Sequence, residues 1–172
     1  NCDWSSDVCS SDLRAVRASL ALANVQPVRE RVDPRTLLTQ FDRVLVCAGG
    51  WTPQMFELDA RVTRQTFAYV ALPRHQEGPV WIEDSPDFLY GFPSEPGEST
   101  AKIGVHTAGP VQDPKDPDRS PGNREQALIA DFARRRFGVQ GEIVHAQGCL
   151  YTSTSDEDFR LGCIGDQIGR AH

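Results

Sequence analysis

Phe41-Asp42-Arg43-Val44-Leu45-Val46-Cys47-Ala48-Gly49-Gly50-Trp51-Thr52 joins two kinds of sequence. The apolar run 44–48, closed by two glycines, predicts a short buried parallel strand of an α/β sheet whose carboxyl end lets the backbone come close to a ligand. Upstream, residues 14–23 (RAVRASLALA) are rich in helix formers and predict the end of a helix. Downstream the character changes. Residues 62–72, 80–83, 88–92, 101–107 and 142–154 read as antiparallel strands separated by turns rich in Pro and Gly. Residues 111–122, loaded with Pro and Asp, predict a surface loop. Asn123 offers an N-cap with Gln126 three residues on, and Leu128, Ile129, Phe132, Ala133 and Phe137 follow at helical spacing before Gly138. That pattern predicts one amphipathic helix near 124–137. Residues 159–166, with Gly162 and Gly165, predict a hairpin. The fold class is therefore α/β plus α+β: the tail of an α/β domain, an antiparallel domain, then a return.

The chain has 172 residues, with Lys+Arg 18 against Asp+Glu 24, a net charge of -6 and a hydrophobic content of 39%. No run approaches the ~20 apolar residues of a membrane-crossing helix, so no membrane partner is expected. The absence of Lys/Arg clusters argues against a nucleic-acid partner. The termini are expected to be foreign. Residues 3–13 read DWSSDVCSSDL, one reverse translation of which is a widely used sequencing adapter. The complementary strand of that DNA encodes Ile168-Gly169-Arg170-Ala171-His172. Residues 1–13 and 168–172 are accordingly set aside as adapter-encoded. Of five cysteines, Cys47, Cys149 and Cys163 remain, a sparse usage that fits a cytoplasmic protein better than a disulfide framework.

Three stretches could carry chemistry. On a strand, Lys102, Gly104 and His106 share one face, with Ile103 and Val105 on the other. Glycine between a cation and a titratable ring leaves room for something flat to approach. In residues 148–159 (GCLYTSTSDEDF) alternation puts Cys149 and Tyr151 on a common face, and a thiol there could serve as nucleophile or attachment point if its thiolate were stabilised. The third stretch is Cys47 to Thr52. Ordinary readings stay open for each: a solvated strand face, an inert core cysteine, a plain strand-to-helix turn. No Cys or His pair has metal-ligand spacing, and no GxSxG is present.

The combination is more specific than its parts. VLVCAGGWT (44–52), Arg64-Gln65, Tyr90-Gly91-Phe92-Pro93, Lys102-Ile103-Gly104-Val105-His106, and CLYT (149–152) with DEDF (156–159) resemble, in this order, the monomeric sarcosine oxidase and N-methyltryptophan oxidase family. These are flavoproteins of the D-amino-acid-oxidase superfamily. The resemblance spans about residues 14–166. It implies a partial FAD-binding domain of the glutathione-reductase type at 14–61, an antiparallel substrate domain at 62–152 and a return to the FAD-binding domain at 153–167. It also implies oxidation of the C–N bond of a small secondary amino acid, with hydrolysis of the imine and reoxidation by O2 to hydrogen peroxide.

Carried over by position, Cys149 matches the cysteine that holds FAD through a thioether, and Lys102 the lysine that promotes reaction with O2. Tyr90 and His106 match substrate-cavity residues, Tyr151 is expected to line the same space, and Ala48, Gly49, Gly50 and Trp51 match the segment that runs along the cofactor. Ser155 stands where the family usually has Pro, and Gly162 where it usually has Asp. The dinucleotide fingerprint GxGxxG is absent from the sequence, as are the residues expected to bind the substrate carboxylate and a late Gly-rich segment near the flavin. The expectation is thus an internal fragment, inactive and poor at binding FAD by itself, of a monomeric parent. A non-covalent FAD-dependent amino-acid dehydrogenase and a non-enzymatic antiparallel binding module are the competing readings.

Overall fold

The computed structural model describes residues 10–37, 39–164 and 167–171, without the side chains of 10–14, 160–164 and 167–171. The chain divides into two units, residues 1–47 and 48–172. The first contains helices α1 (Ser10–Leu22) and α2 (Pro34–Leu37). The helix expected at 14–23 is present as α1 and begins earlier, inside the segment read as adapter-encoded. The strand expected at 44–48 does not form: residues 43–48 are neither helix nor strand, and Leu45 is 90% exposed. A parallel strand needs neighbours for its backbone N–H and C=O groups, and the described residues of this unit provide no other strand.

The second unit begins with a 3-10 turn (Gly49–Trp51) and the short helix α3 (Thr52–Phe56). It is built around a five-stranded antiparallel sheet of β1 (Ala60–Ala71), β2 (Trp81–Glu83), β3 (Leu89–Phe92), β4 (Thr100–Val105) and β5 (Ile143–Thr154), in the order β2-β3-β4-β1-β5. All five expected strands are found, with bounds displaced by one or two residues. A hairpin does form, but not within 159–166 as expected: β6 (Arg160–Ile164) fills that stretch and pairs with β7 (Gln167–Ala171), which extends into the segment read as adapter-encoded, and the turn lies outside the described residues.

Helix α4 (Asn123–Phe137) carries the chain across the sheet from β4 to β5. Its N-cap differs from the expectation. Gly122, extended at ψ 136, holds the cap position, and no side chain caps the helix. Gly122 instead donates its N–H to Thr66 Oγ1 at 2.9 Å, and its carbonyl accepts the Gln126 N–H at 3.0 Å. The helix end is thus fastened to β1 by backbone, which displaces Asn123 into the first turn. At the other end Gly138 adopts the left-handed conformation, φ 66, and closes the helix on the Arg134 carbonyl as expected.

The core lies between α4 and one face of the sheet: Ala68 and Val70 of β1, Leu89 of β3, Ile103 and Val105 of β4, and Ile129, Phe132 and Ala133 of α4. Trp81 stacks on Phe132 with ring centroids 4.7 Å apart. Its indole lies over Gly91, where a Cβ would overlap it. The 111–122 loop is mostly exposed, but it is not merely a surface excursion. Gln112 and Pro114 are buried, the Gln112 N–H donates to the Val62 carbonyl at 3.0 Å, and Thr63 bridges Val111. The loop therefore continues the sheet beside β1 where β4 has ended.

Candidate functional site

Register decides which side chains face away from α4. Tyr90 lies opposite Gly104, and Phe92 opposite Lys102; across the other edge of β4, Gly104 opposes Phe67 and Lys102 opposes Tyr69. On the far side of β1, Gln65 opposes Cys149 and Thr63 opposes Tyr151. Since opposed residues share a face, Tyr90, Phe92, Lys102, Gly104, Phe67, Cys149 and Tyr151 occupy one surface of four strands. β4 ends at Val105, so His106 sits just beyond the strand, yet its ring keeps the same neighbourhood, 5.6 Å from Tyr151 and 6.4 Å from Tyr90 between centroids.

Several contacts set the shape of this face. Tyr90 lies over Gly104, where a Cβ would overlap the phenol. The room that the glycine was expected to leave for a flat group is taken by Tyr90. The Tyr90 hydroxyl bonds that of Tyr151. Burial, that bond and charge on Tyr151 and Cys149 push Tyr90 far above the usual tyrosine range, so it stays a neutral donor. Burial also raises Tyr151, against the bond from Tyr90, which favours its phenolate. Buried Gln65 donates through Nε2 to the Thr107 carbonyl at 3.3 Å and accepts from Thr63 Oγ1 at 3.1 Å. It ties β1 to the segment that follows His106.

His106 is held from behind as well. Its N–H donates to the Phe88 carbonyl at 2.9 Å, and the two rings lie 5.3 Å apart. Phe88 has φ 46, a conformation that strains a bulky residue. Lys102 is half-buried, with Nζ 4.6 Å from the Phe67 ring centroid and 5.6 Å from that of Phe92.

Ala48, Gly49, Gly50 and Trp51 are placed elsewhere. Gly50 is buried, and a Cβ on it would lie 3.2 Å from Leu150 and 3.3 Å from Val62 and Pro114. Leu150 alternates with Cys149 and Tyr151 along β5, so this turn packs on the opposite side of the sheet. Of the nine residues singled out from sequence, five converge on one face and these four do not. Sequence reasoning missed Phe67, Phe92 and Phe88. Alternation groups Phe67 with Gln65 and Tyr69 along β1, but that this group adjoins Lys102 follows only from the β1–β4 register.

No family model matches the chain. It is 29% identical over 150 residues to the monomeric sarcosine oxidase of Streptomyces avermitilis, which covers 78% of this chain and 39% of that protein. It is likewise 29% identical over 167 residues to the N-methyl-L-tryptophan oxidase of Escherichia coli, covering 87% of this chain and 43% of the relative. The chain thus spans less than half the length of these curated relatives. Among solved structures it resembles NikD, an unusual amino acid oxidase essential for nikkomycin biosynthesis, with a TM-score of 0.57 at 21% identity over 71% of this chain and 36% of that one. A thermally stable mutant of fructosyl peptide oxidase gives a TM-score of 0.52 at 15% identity, over 72% of this chain and 36% of the other. The expected similarity to monomeric sarcosine oxidase and N-methyltryptophan oxidase is therefore found in sequence, and the mixed fold with its antiparallel sheet is similar to that of amino acid oxidases. No helix among the described residues is long and apolar enough to cross a membrane.

Proposed function

We propose that this chain is part of an FAD-dependent amine oxidase that oxidises the C–N bond of a small secondary amino acid with O2, giving an imine and hydrogen peroxide. The observation that carries this reading is the convergence of Lys102, Tyr90, Tyr151, His106 and Cys149 on one face of the sheet, opposite the face that α4 covers. That surface suits a flavin ring: it combines a thiol, a cation and neutral phenols, and Lys102 forms no ion pair among the described residues. FAD, when bound, would supply the redox chemistry between amine and O2.

In this reading the Cys149 sulfur holds the flavin through a thioether. Lys102 fixes a positive charge where negative charge develops on reduction of O2, an effect magnified where water is excluded. Tyr90 lines the substrate cavity and gives its O–H to Tyr151, and Tyr151 and His106 bound the space for the substrate. Ala48, Gly49, Gly50 and Trp51 belong to the cofactor-binding segment behind the sheet. Residues 14–61 and 153–167 are then parts of the FAD-binding domain around the substrate domain 62–152, with adapter-encoded ends, in a cytoplasmic monomeric parent.

The test is acid precipitation of the full-length parent. Yellow colour is expected to stay in the pellet and to pass into the supernatant in Cys149→Ser. A colourless wild-type pellet would overturn covalent attachment and favour the non-covalent dehydrogenase.

A further inference from the structure

Lys102 is held in an unusual way for a half-buried cation. Among the described residues no carboxylate pairs with it; its Nζ sits instead between two aromatic faces, 4.6 Å from the Phe67 centroid and 5.6 Å from that of Phe92. Register explains how the two rings reach it. Phe92 is the direct cross-strand neighbour on β3, and Phe67, opposite Gly104, is the diagonal neighbour on β1. Each ring is itself oriented by an edge-to-face contact, Phe67 with Tyr69 at 6.4 Å and Phe92 with Tyr90 at 6.1 Å. Phe67 is 5% exposed and Phe92 39%, so one jaw is fixed in the sheet and the other borders solvent.

We propose that Phe67 and Phe92 form an aromatic clip that holds the Lys102 ammonium in place on the site face without neutralising it. A carboxylate in the same position would hold the lysine more strongly but cancel its field. The quadrupole of an aromatic face attracts the cation and leaves the net charge intact. Phe67 and Phe92 are thus positioning residues. The clip is a property of this chain, and its use rests on the reading of Lys102 as the charge beside the cofactor.

The sequence makes the test clean, because Lys102 and Lys115 are its only lysines, and Lys115 is exposed in the 111–122 loop. Reductive methylation with labelled formaldehyde keeps each amine cationic and gives each lysine a methyl NMR signal. The Lys102 signal is expected upfield of the Lys115 signal through the ring currents of Phe67 and Phe92. Phe67→Leu is expected to abolish most of that shift and to speed amine acylation of Lys102 about two- to fivefold, with Lys115 unchanged. Phe67→Tyr, which keeps a π face, is expected to restore both. Phe92→Leu, at the solvent-bordering jaw, gives a smaller change of the same sign and guards against a Phe67 variant that fails to fold. A wild-type Lys102 signal coincident with that of Lys115 overturns the clip, as does acylation indifferent to both phenylalanines. Failure of the cofactor reading looks different: the lysine spectrum stands as expected, while flavin reoxidation in the full-length parent is indifferent to Lys102→Met.

Discussion

The two faces of the five-stranded sheet are written by the same strands in alternate residues, yet they serve opposite ends. Beneath α4, β4 presents Ile103 and Val105 to an apolar core; on the other side, the intervening positions hold Lys102 and Gly104. One face spends its side chains on burial. The other gathers a cation, a thiol and two mutually bonded phenols, groups that cost stability to desolvate and are kept only where each has a partner or an exit to solvent. The difference teaches that stability and chemistry are separable here, residue by residue, and substitutions on the two faces should fail in different ways.

The largest effect is expected at Phe132→Ala on α4. This side chain is 2% exposed and stacks on Trp81, so its loss should cost ~3–5 kcal/mol in urea unfolding. Gly104→Ala probes the other face. The new methyl must displace the Tyr90 phenol, costing ~1–3 kcal/mol, with the loss of the Tyr90–Tyr151 bond visible in tyrosine absorbance. Tyr90→Phe should cost less, ~0.5–1.5 kcal/mol, and should carry a pH signature. Because the folded protein holds Tyr90 protonated above its ordinary value of 10.0, its contribution is whole below about pH 10 and is lost as pH rises beyond it, when the unfolded chain ionises. Alkaline unfolding should therefore be less steep in Tyr90→Phe than in the wild type. The smallest stability change, within about 0.5 kcal/mol, is expected for Lys102→Met, even though it should slow flavin reoxidation in the full-length parent. A Lys102→Met variant as unstable as Phe132→Ala would erase the distinction between the faces.

Alternation made much of this legible in the sequence. Because strand period fixes facing, the common side of Lys102 and Gly104, and that of Cys149 and Tyr151, could be read without coordinates, whereas His106 lies just past the end of β4. What alternation cannot show is which strands lie side by side. The pairing of Tyr90 with Gly104, which puts a phenol in the glycine's space, comes from the β3–β4 register alone. The failure at 44–48 has a related cause: apolar content and closing glycines describe a buried strand, but strand formation depends on neighbours that lie elsewhere in a chain. At α4 the sequence offered Asn123 as a cap, while Thr66, distant in sequence, fixed Gly122 in that position. Each miss traces to a long-range partner.

The place of β1 in the sheet has a consequence for biogenesis. Its neighbours on both sides are made later than itself: β4 pairs with it from Phe67 to Ala71, and β5 runs along it from Ala60, opposite Thr154, to Val70, opposite Ile143. As the polypeptide leaves the ribosome, β1 must wait with both hydrogen-bonding edges open until β4 has emerged at Val105, and with one edge open until β5 is complete at Thr154. Such non-local pairing folds slowly and leaves a sticky apolar segment exposed meanwhile. The nascent chain is most vulnerable to aggregation, and most in need of a chaperone, between the emergence of Ala71 and that of Thr154.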